Sequence, residues 1–335
     1  MEYRQLGKTG IRVSSLCLGT MSFGDAADEP TSEAMYRRCR EAGINLFDCA
    51  NVYANGRSEK ILGKLIADER SHLVITSKVG FAMGDGVNDW GLSRRHILAS
   101  VEASLKRLDT DWLDLLFLHR FDPMTPIEES LRALDLLVRK GKVNAIGVSN
   151  WAAWQIAKGL GMSALLDLPT IACIQPMYNL AKRQAEVEIL PLARAEELGV
   201  ITYSPLGGGL LTGKYGVGRR PDHGRLVDNE MYKARYESDA YYETADRFTA
   251  FAQERGVHPA TLAVAWVARH PAVTAPIIGA RNLEQLEPSL AAAGFEMDDE
   301  TYAIVSTLSK APPPATDRAE ERAGLAYKGS GERYR

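Results

Sequence analysis

Short apolar β-prone runs alternate with helical segments eight times along this chain, and few folds accommodate that rhythm. The runs cover residues 16–20, 44–48, 72–78, 114–119, 143–150, 171–175, 200–204 and 274–279. Helical patterns stand between them. One covers 31–42, opened by Thr31 or Ser32, and another covers 58–68. A third starts at Arg94 with Ile97, Val101, Leu105 and Leu108 at helical spacing, and in a fourth Ile127, Leu131, Leu134 and Val138 make one apolar stripe ended by Gly141. Strands separated by helices pair in parallel, so eight such units predict a closed (β/α)8 barrel, a TIM barrel, rather than a doubly wound open sheet. Gly7, Lys8, Thr9 and Gly10 between short β-prone pieces add an N-terminal β-hairpin. One barrel domain over 1–309 results, followed by an extended C-terminal tail over 310–335 that opens on three prolines and turns polar.

At 335 residues the chain is long enough for such a barrel. A net charge of -3 supplies no basic field for nucleic acid. The amino terminus lacks the apolar core of a signal peptide and no apolar run approaches the ~20 residues of a membrane helix, so the expectation is a cytoplasmic protein with no membrane partner. Cys17, Cys39, Cys49 and Cys173 are scattered, with no Cys-x-x-Cys pair, and suggest neither a disulfide framework nor a metal site. An oligomer is compatible with all of this, and no residue pattern specifies one.

Three of the strands end in a way that burial does not explain. The run 44–48 stops at Asp48 and is followed by Tyr53, the run 72–78 stops at Lys78, and the run 114–119 stops at His119. In parallel neighbours these four side chains meet at the carboxyl edge of the sheet, where α/β barrels place their chemistry. Free tyrosine titrates near ~10 and is a weak acid at neutral pH. A nearby ammonium favours phenolate and lowers that value, Asp48 can hold Lys78, and His119 can orient a carbonyl oxygen, so Tyr53 reads as a general acid.

The stretch Gly43-Ile-Asn-Leu-Phe-Asp-Cys-Ala-Asn-Val-Tyr53, with Lys78 and His119, resembles the catalytic signature of the aldo-keto reductases. The resemblance runs from Tyr3 to about Ser309. It implies a nicotinamide cofactor bound without a Rossmann domain, a carbonyl substrate, and Tyr53 as proton donor. Ala54 stands where glycine commonly follows the tyrosine, with Gly56 two positions later.

No Gly-x-Gly-x-x-Gly follows an amino-terminal strand, and Tyr215 spoils the near P-loop from Gly208 to Lys214. Instead Tyr203-Ser-Pro-Leu-Gly-Gly-Gly-Leu-Leu-Thr-Gly-Lys214 resembles the family's loop after the seventh strand. There Tyr203 would stack on the nicotinamide, Gly207 and Gly208 would let backbone amides approach the pyrophosphate, and Ser204, Pro205 and Leu206 would also lie at the cofactor. By the same resemblance Gly19, Thr20 and Met21 at the end of the first strand, and Asp48, lie at the cofactor, and Ser149, Asn150 and Gln175 bind the carboxamide. Gly279, Arg281 and Gln285 lie on the phosphate and adenosine segment, with Arg281 placed to read a 2'-phosphate and so to select NADP (NADPH). Asn282 with Gln285 also reads as a helix cap, and Arg281 as a solvated charge. Pro288 and Ser289 replace the Glu-Asn that often binds the adenine, so no adenine contact is carried over.

Residues 207–239 lack clear periodicity and read as a lid, with Gly216, Gly218 and Gly224 as flexible points. Lys214, Arg219, Arg220 and Arg225 are its cations, Lys214 and Arg225 the leading ones for holding cofactor. Phe23, Trp90, Phe121 and Trp151 at the rim, with Arg120, would wall a pocket for a small-molecule carbonyl substrate, and each also reads as packing or an ion pair. Three functions remain open on the sequence: an NADP-dependent carbonyl reductase, a nicotinamide-binding redox-sensing regulatory subunit with little turnover, and a barrel hydrolase or lyase, against which stands the lack of Gly-x-Ser-x-Gly and His-Glu-x-x-His.

Overall fold

The computed structural model of the chain describes residues 1–318 and 320. Of the expected tail over 310–335, residues 319 and 321–335 lie outside the described residues. The hairpin pairs β1 (Tyr3–Gln5) antiparallel to β2 (Arg12–Ser14). The barrel strands are β3 (Cys17–Gly19), β4 (Leu46–Asp48), β5 (Val74–Val79), β6 (Leu113–Leu118), β7 (Val143–Ser149), β8 (Ile171–Gln175), β9 (Gly199–Thr202) and β10 (Ala275–Ile278). Each pairs in parallel with its neighbours, and β10 closes on β3 to complete the (β/α)8 TIM barrel.

The connecting helices are amphipathic. The first, α1 (Glu29–Glu41), starts earlier than Thr31: the Asp28 carboxylate accepts from Thr31 N at 2.9 Å, and Pro30 is tolerated in the first turn. The next three are α2 (Arg57–Ile66), α3 (Arg94–Leu108) and α4 (Ile127–Arg139), which follow the expected stripes. Then come α5 (Ala153–Leu165) and α6 (Ile189–Ala195). Their buried faces and the outward faces of the strands form the main apolar layer. A second layer fills the barrel, and Leu6 and Val13 of the hairpin belong to it, packed with Cys17, Leu115, Phe117 and Ile201. The hairpin is therefore the barrel's floor. Gly7, at φ +54°, is what allows the fit, since a Cβ there would lie 2.5 Å from Gly199 N and 2.8 Å from Ala172 O.

The segment 207–239, expected to be a lid without regular structure, holds short helices. It carries a 3-10 turn (Gly207–Thr212) and two short helices, α7 (Arg225–Asp228) and α8 (Glu230–Arg235), and leads into α9 (Asp239–Glu254) and α10 (Pro259–Arg269). Leu210, Tyr215, Leu226, Tyr232, Tyr236 and Tyr242 make an apolar cluster of their own beneath it. Helices of four and six residues are too short to show a period, which is why the sequence reads as loop. Among the described residues the last two α-helices are α11 (Leu283–Leu290), whose Asn282 cap accepts from Gln285 N, and α12 (Asp299–Thr307). All four cysteines are buried thiols. Among the described residues no helix is long and apolar enough to cross a membrane.

Candidate active site

Register brings the strand ends together. Asp48 closes β4 opposite Thr76, and Lys78 lies on β5 opposite Phe117. His119 follows β6 directly, its backbone N–H donating to Val79 O. Lys78 Nζ donates to Asp48 Oδ2 at 2.6 Å, to Cys49 O at 2.8 Å and to Tyr53 Oη at 3.1 Å, so all three ammonium protons are used. Lys78 is fully buried and Asp48 nearly so, which makes the pair tightly coupled. Burial works against the ammonium, but Asp48 and Tyr53 hold its pKa above the ordinary range.

Tyr53 departs from the sequence expectation. Burial raises its pKa, Lys78 pulls it down, Asp48 raises it again, and the balance leaves the phenol at about 12 rather than depressed. The hydroxyl is therefore protonated throughout the neutral range. His119 is held near a pKa of about 2 by burial and by Lys78, so its imidazole is neutral. Its ring stands edge-on to Tyr53, and its Nδ1 is buried without a hydrogen-bond partner. A buried unpaired N–H costs more than an unpaired lone pair, which favours the tautomer protonated at Nε2.

The expected carboxamide-binding groups form a relay leading back to this cluster. Tyr203 Oη donates to Asn150 Oδ1 at 2.7 Å and Asn150 Nδ2 donates to Ser149 Oγ at 3.0 Å. Ser149 Oγ donates to the Gln175 carbonyl at 2.9 Å, and Gln175 Nε2 donates to Asp48 Oδ1 at 2.8 Å. Thr76 Oγ1 also donates to Asp48 Oδ1 at 2.9 Å. Thr76 was legible in principle, because strand periodicity puts it on the same face as Lys78.

Backbone strain gathers at the same rim. Ala54, Asn55, Asn150 and Ser204 hold φ between +48° and +62°, a region non-glycine residues rarely enter. Ala54 thus keeps the left-handed turn that a glycine would adopt, at a cost of about 1 kcal/mol. Gly208, at φ +70°, lies against Tyr232, where a Cβ would approach to 2.8 Å.

Lys214, Arg225 and Arg281 converge. Burial and then the charges of Arg281 and Arg225 lower the pKa of Lys214, and among the described residues none of the three has a carboxylate within ion-pair distance. Arg219 and Arg220 are otherwise engaged: Arg219 pairs with Asp246 at 3.0 Å, and Arg220 lies 3.3 Å over the Tyr242 ring. Thr20 donates to the Asp48 carbonyl, Met21 is exposed, and Ser22 Oγ donates to Ala280 O, which ties the first strand's loop to that of Gly279 and Arg281. Arg281 N donates to Gln285 Oε1 at 3.4 Å, so Gln285 serves the helix start.

Of the expected pocket walls, Phe23 is not one. It is fully buried in the main apolar layer, which leaves it no surface to offer a substrate. Trp151 is also buried, edge-on behind Phe121, and Trp90 is exposed on its loop. Arg120 is exposed, with its guanidinium 5.2 Å from the centre of Phe81. Phe81 is the wall that sequence reasoning missed, half-buried and 4.6 Å edge-on to His119. It sits three residues beyond Lys78 in a glycine-rich loop, with no motif to mark it.

A closed parallel barrel that collects a carboxylate, an ammonium, a phenol and an imidazole at the carboxyl ends of its strands has the architecture of a barrel enzyme. Residues 15–310 match the model of the aldo/keto reductase family, and the chain belongs to that family. It is 41% identical over 300 residues to an Arabidopsis thaliana protein named "Probable voltage-gated potassium channel subunit beta", covering 87% of this chain and 91% of that one. It is 37% identical over 333 residues to the Bacillus subtilis (strain 168) protein named "Uncharacterized oxidoreductase YrpG", covering 95% and 99%. Family membership supports oxidoreduction as the class of chemistry.

Proposed function

We propose that this chain reduces an aldehyde or ketone to an alcohol as an NADP(H)-dependent oxidoreductase, with Tyr53 as the proton donor. The observation that carries the reading is the 3.1 Å hydrogen bond from buried, Asp48-paired Lys78 to the Tyr53 hydroxyl. Bound NADPH supplies the hydride to the carbonyl carbon. His119 Nε2–H and the Tyr53 hydroxyl orient and polarise the carbonyl oxygen. Tyr53 donates its proton as negative charge develops there, and the phenolate left behind is stabilised by Lys78, whose charge is held in place by Asp48. A phenol near pKa 12 suits this role, because it is protonated across the neutral range and Lys78 is in place to stabilise the phenolate it would leave.

The residues present fit a dinucleotide phosphate. Lys214, Arg225 and Arg281, without an ion-pair partner among the described residues, suit phosphate groups, and the turn of left-handed glycines 207–209 lies against Lys214. Tyr203 and Asn150 lie at the other end of the same surface, joined by the relay to Asp48. Gly19, Thr20, Met21, Ser149, Gln175 and Gly279 complete the proposed cofactor site.

A second reading is favoured by the names of two relatives, the Arabidopsis thaliana protein and an Oryza sativa subsp. japonica protein 39% identical over 324 residues, both named "Probable voltage-gated potassium channel subunit beta". On it the chain binds the same cofactor but turns over little and serves a partner. Steady loss of NADPH absorbance with a panel of carbonyl compounds supports the enzyme. Tight NADPH binding with negligible turnover across the panel, and a stable partner, supports the regulatory subunit.

A further inference from the structure

We infer that Arg120 and Phe81 form a subsite that selects carbonyl substrates carrying a carboxylate or similar anionic group, an inference that rests on the reductase reading of the same site. Phe81 bridges the imidazole and the guanidinium, 4.6 Å edge-on to His119 and 5.2 Å from Arg120. A substrate whose carbonyl is held by Tyr53 and His119 and which extends across Phe81 meets Arg120 at its far end.

The loops that carry the pair are pinned. Gly91 N donates to Gly80 O, closing the loop that begins with Phe81. Asp122, two residues after Arg120, accepts from Leu92 N at 2.8 Å, Met124 N at 2.9 Å and Thr125 Oγ1 at 2.7 Å. Both its oxygens are occupied, and although Arg120 helps lower the Asp122 pKa, the two do not form an ion pair. Among the described residues no carboxylate lies within ion-pair distance of Arg120. Lys78, the other cation beside the reacting groups, is matched by Asp48. Arg120 therefore sets the sign of the charge that an incoming substrate meets.

The test compares 4-carboxybenzaldehyde with 4-methylbenzaldehyde, which are close in shape and differ in charge. For the unaltered protein kcat/KM is expected to favour the acid, and Arg120→Gln is expected to reduce the acid-to-neutral ratio about tenfold, the size of a charge-assisted contact discounted for solvent around an exposed arginine. Arg120→Lys should recover part of the preference. A ratio unmoved by Arg120→Gln overturns the inference. Calorimetric binding of 4-(hydroxymethyl)benzoate and 4-methylbenzyl alcohol to the NADPH-loaded protein provides a readout without turnover. If neither aldehyde is reduced but the acid binds more tightly in an Arg120-dependent way, the subsite stands and the reductase reading fails. If the two alcohols bind equally, the subsite fails whatever the turnover.

Discussion

Tyr53 was legible because it follows a strand that ends in Asp48, and parallel pairing sets that end beside those bearing Lys78 and His119. Its protonation was not, since the balance between burial, Lys78 and Asp48 depends on depth that no motif encodes. Tyr53→Phe should lower carbonyl reduction by ~10²- to 10⁴-fold while NADPH affinity stays within a few-fold, because the hydroxyl is assigned only to proton transfer. Near-normal turnover in that variant moves the acid elsewhere. The pH profile tests the same assignment from the other side. A phenol loses its proton as pH rises through its pKa, so at about 12 Tyr53 remains a loaded acid across the neutral range. An ordinary imidazole gains a proton as pH falls through ~6.5, but His119, held near 2, stays neutral well below that. The expected kcat/KM is flat from about pH 5 to about pH 9. An inflection from the tetrad between about pH 6 and 7 would show that His119 is not the buried neutral group described above.

At the level of elements, the sequence conveyed the regular strands and helices well and the 207–239 segment poorly. Period and capping mark an element of ten residues, whereas this segment is organised by tyrosines meeting Leu210 and Leu226 and by Asp246 of α9 receiving Val217 N at 2.7 Å. Its packing commits Arg219 to Asp246, while Lys214 and Arg225, each over a tyrosine ring, are the cations proposed to hold cofactor. Replacing both with alanine should speed NADPH dissociation in stopped-flow fluorescence, while single-turnover reduction at saturating cofactor changes little. Unchanged dissociation would make the segment a surface insertion. Arg281, on the facing loop, should discriminate between cofactors. Arg281→Ala is expected to weaken NADPH binding about 10- to 100-fold and NADH binding far less, as befits one charge-assisted contact to a phosphate. Equal losses for both would remove the 2'-phosphate assignment.

For the molecule as a whole, alternation of eight units was enough to predict closure, but not what seals the floor. Leu6 and Val13 lie fully buried among the barrel's inward residues, and Leu6→Ala should lower unfolding free energy by ~2–5 kcal/mol, measured by denaturant titration. A loss no larger than that of a surface substitution would show that the hairpin merely rests on the barrel. The hairpin's fastenings also come from distant parts of the chain: Arg4 Nη1 donates to Ala268 O, Val273 O and Thr274 O, and Gly7 abuts Gly199. Because a chain is synthesised towards its carboxyl end, the stopper emerges before the vessel it stops is complete. Until the residues around 275 leave the ribosome, Leu6 and Val13 have no closed interior to enter, so the hairpin waits as an apolar ribbon while the barrel it will plug is still being made.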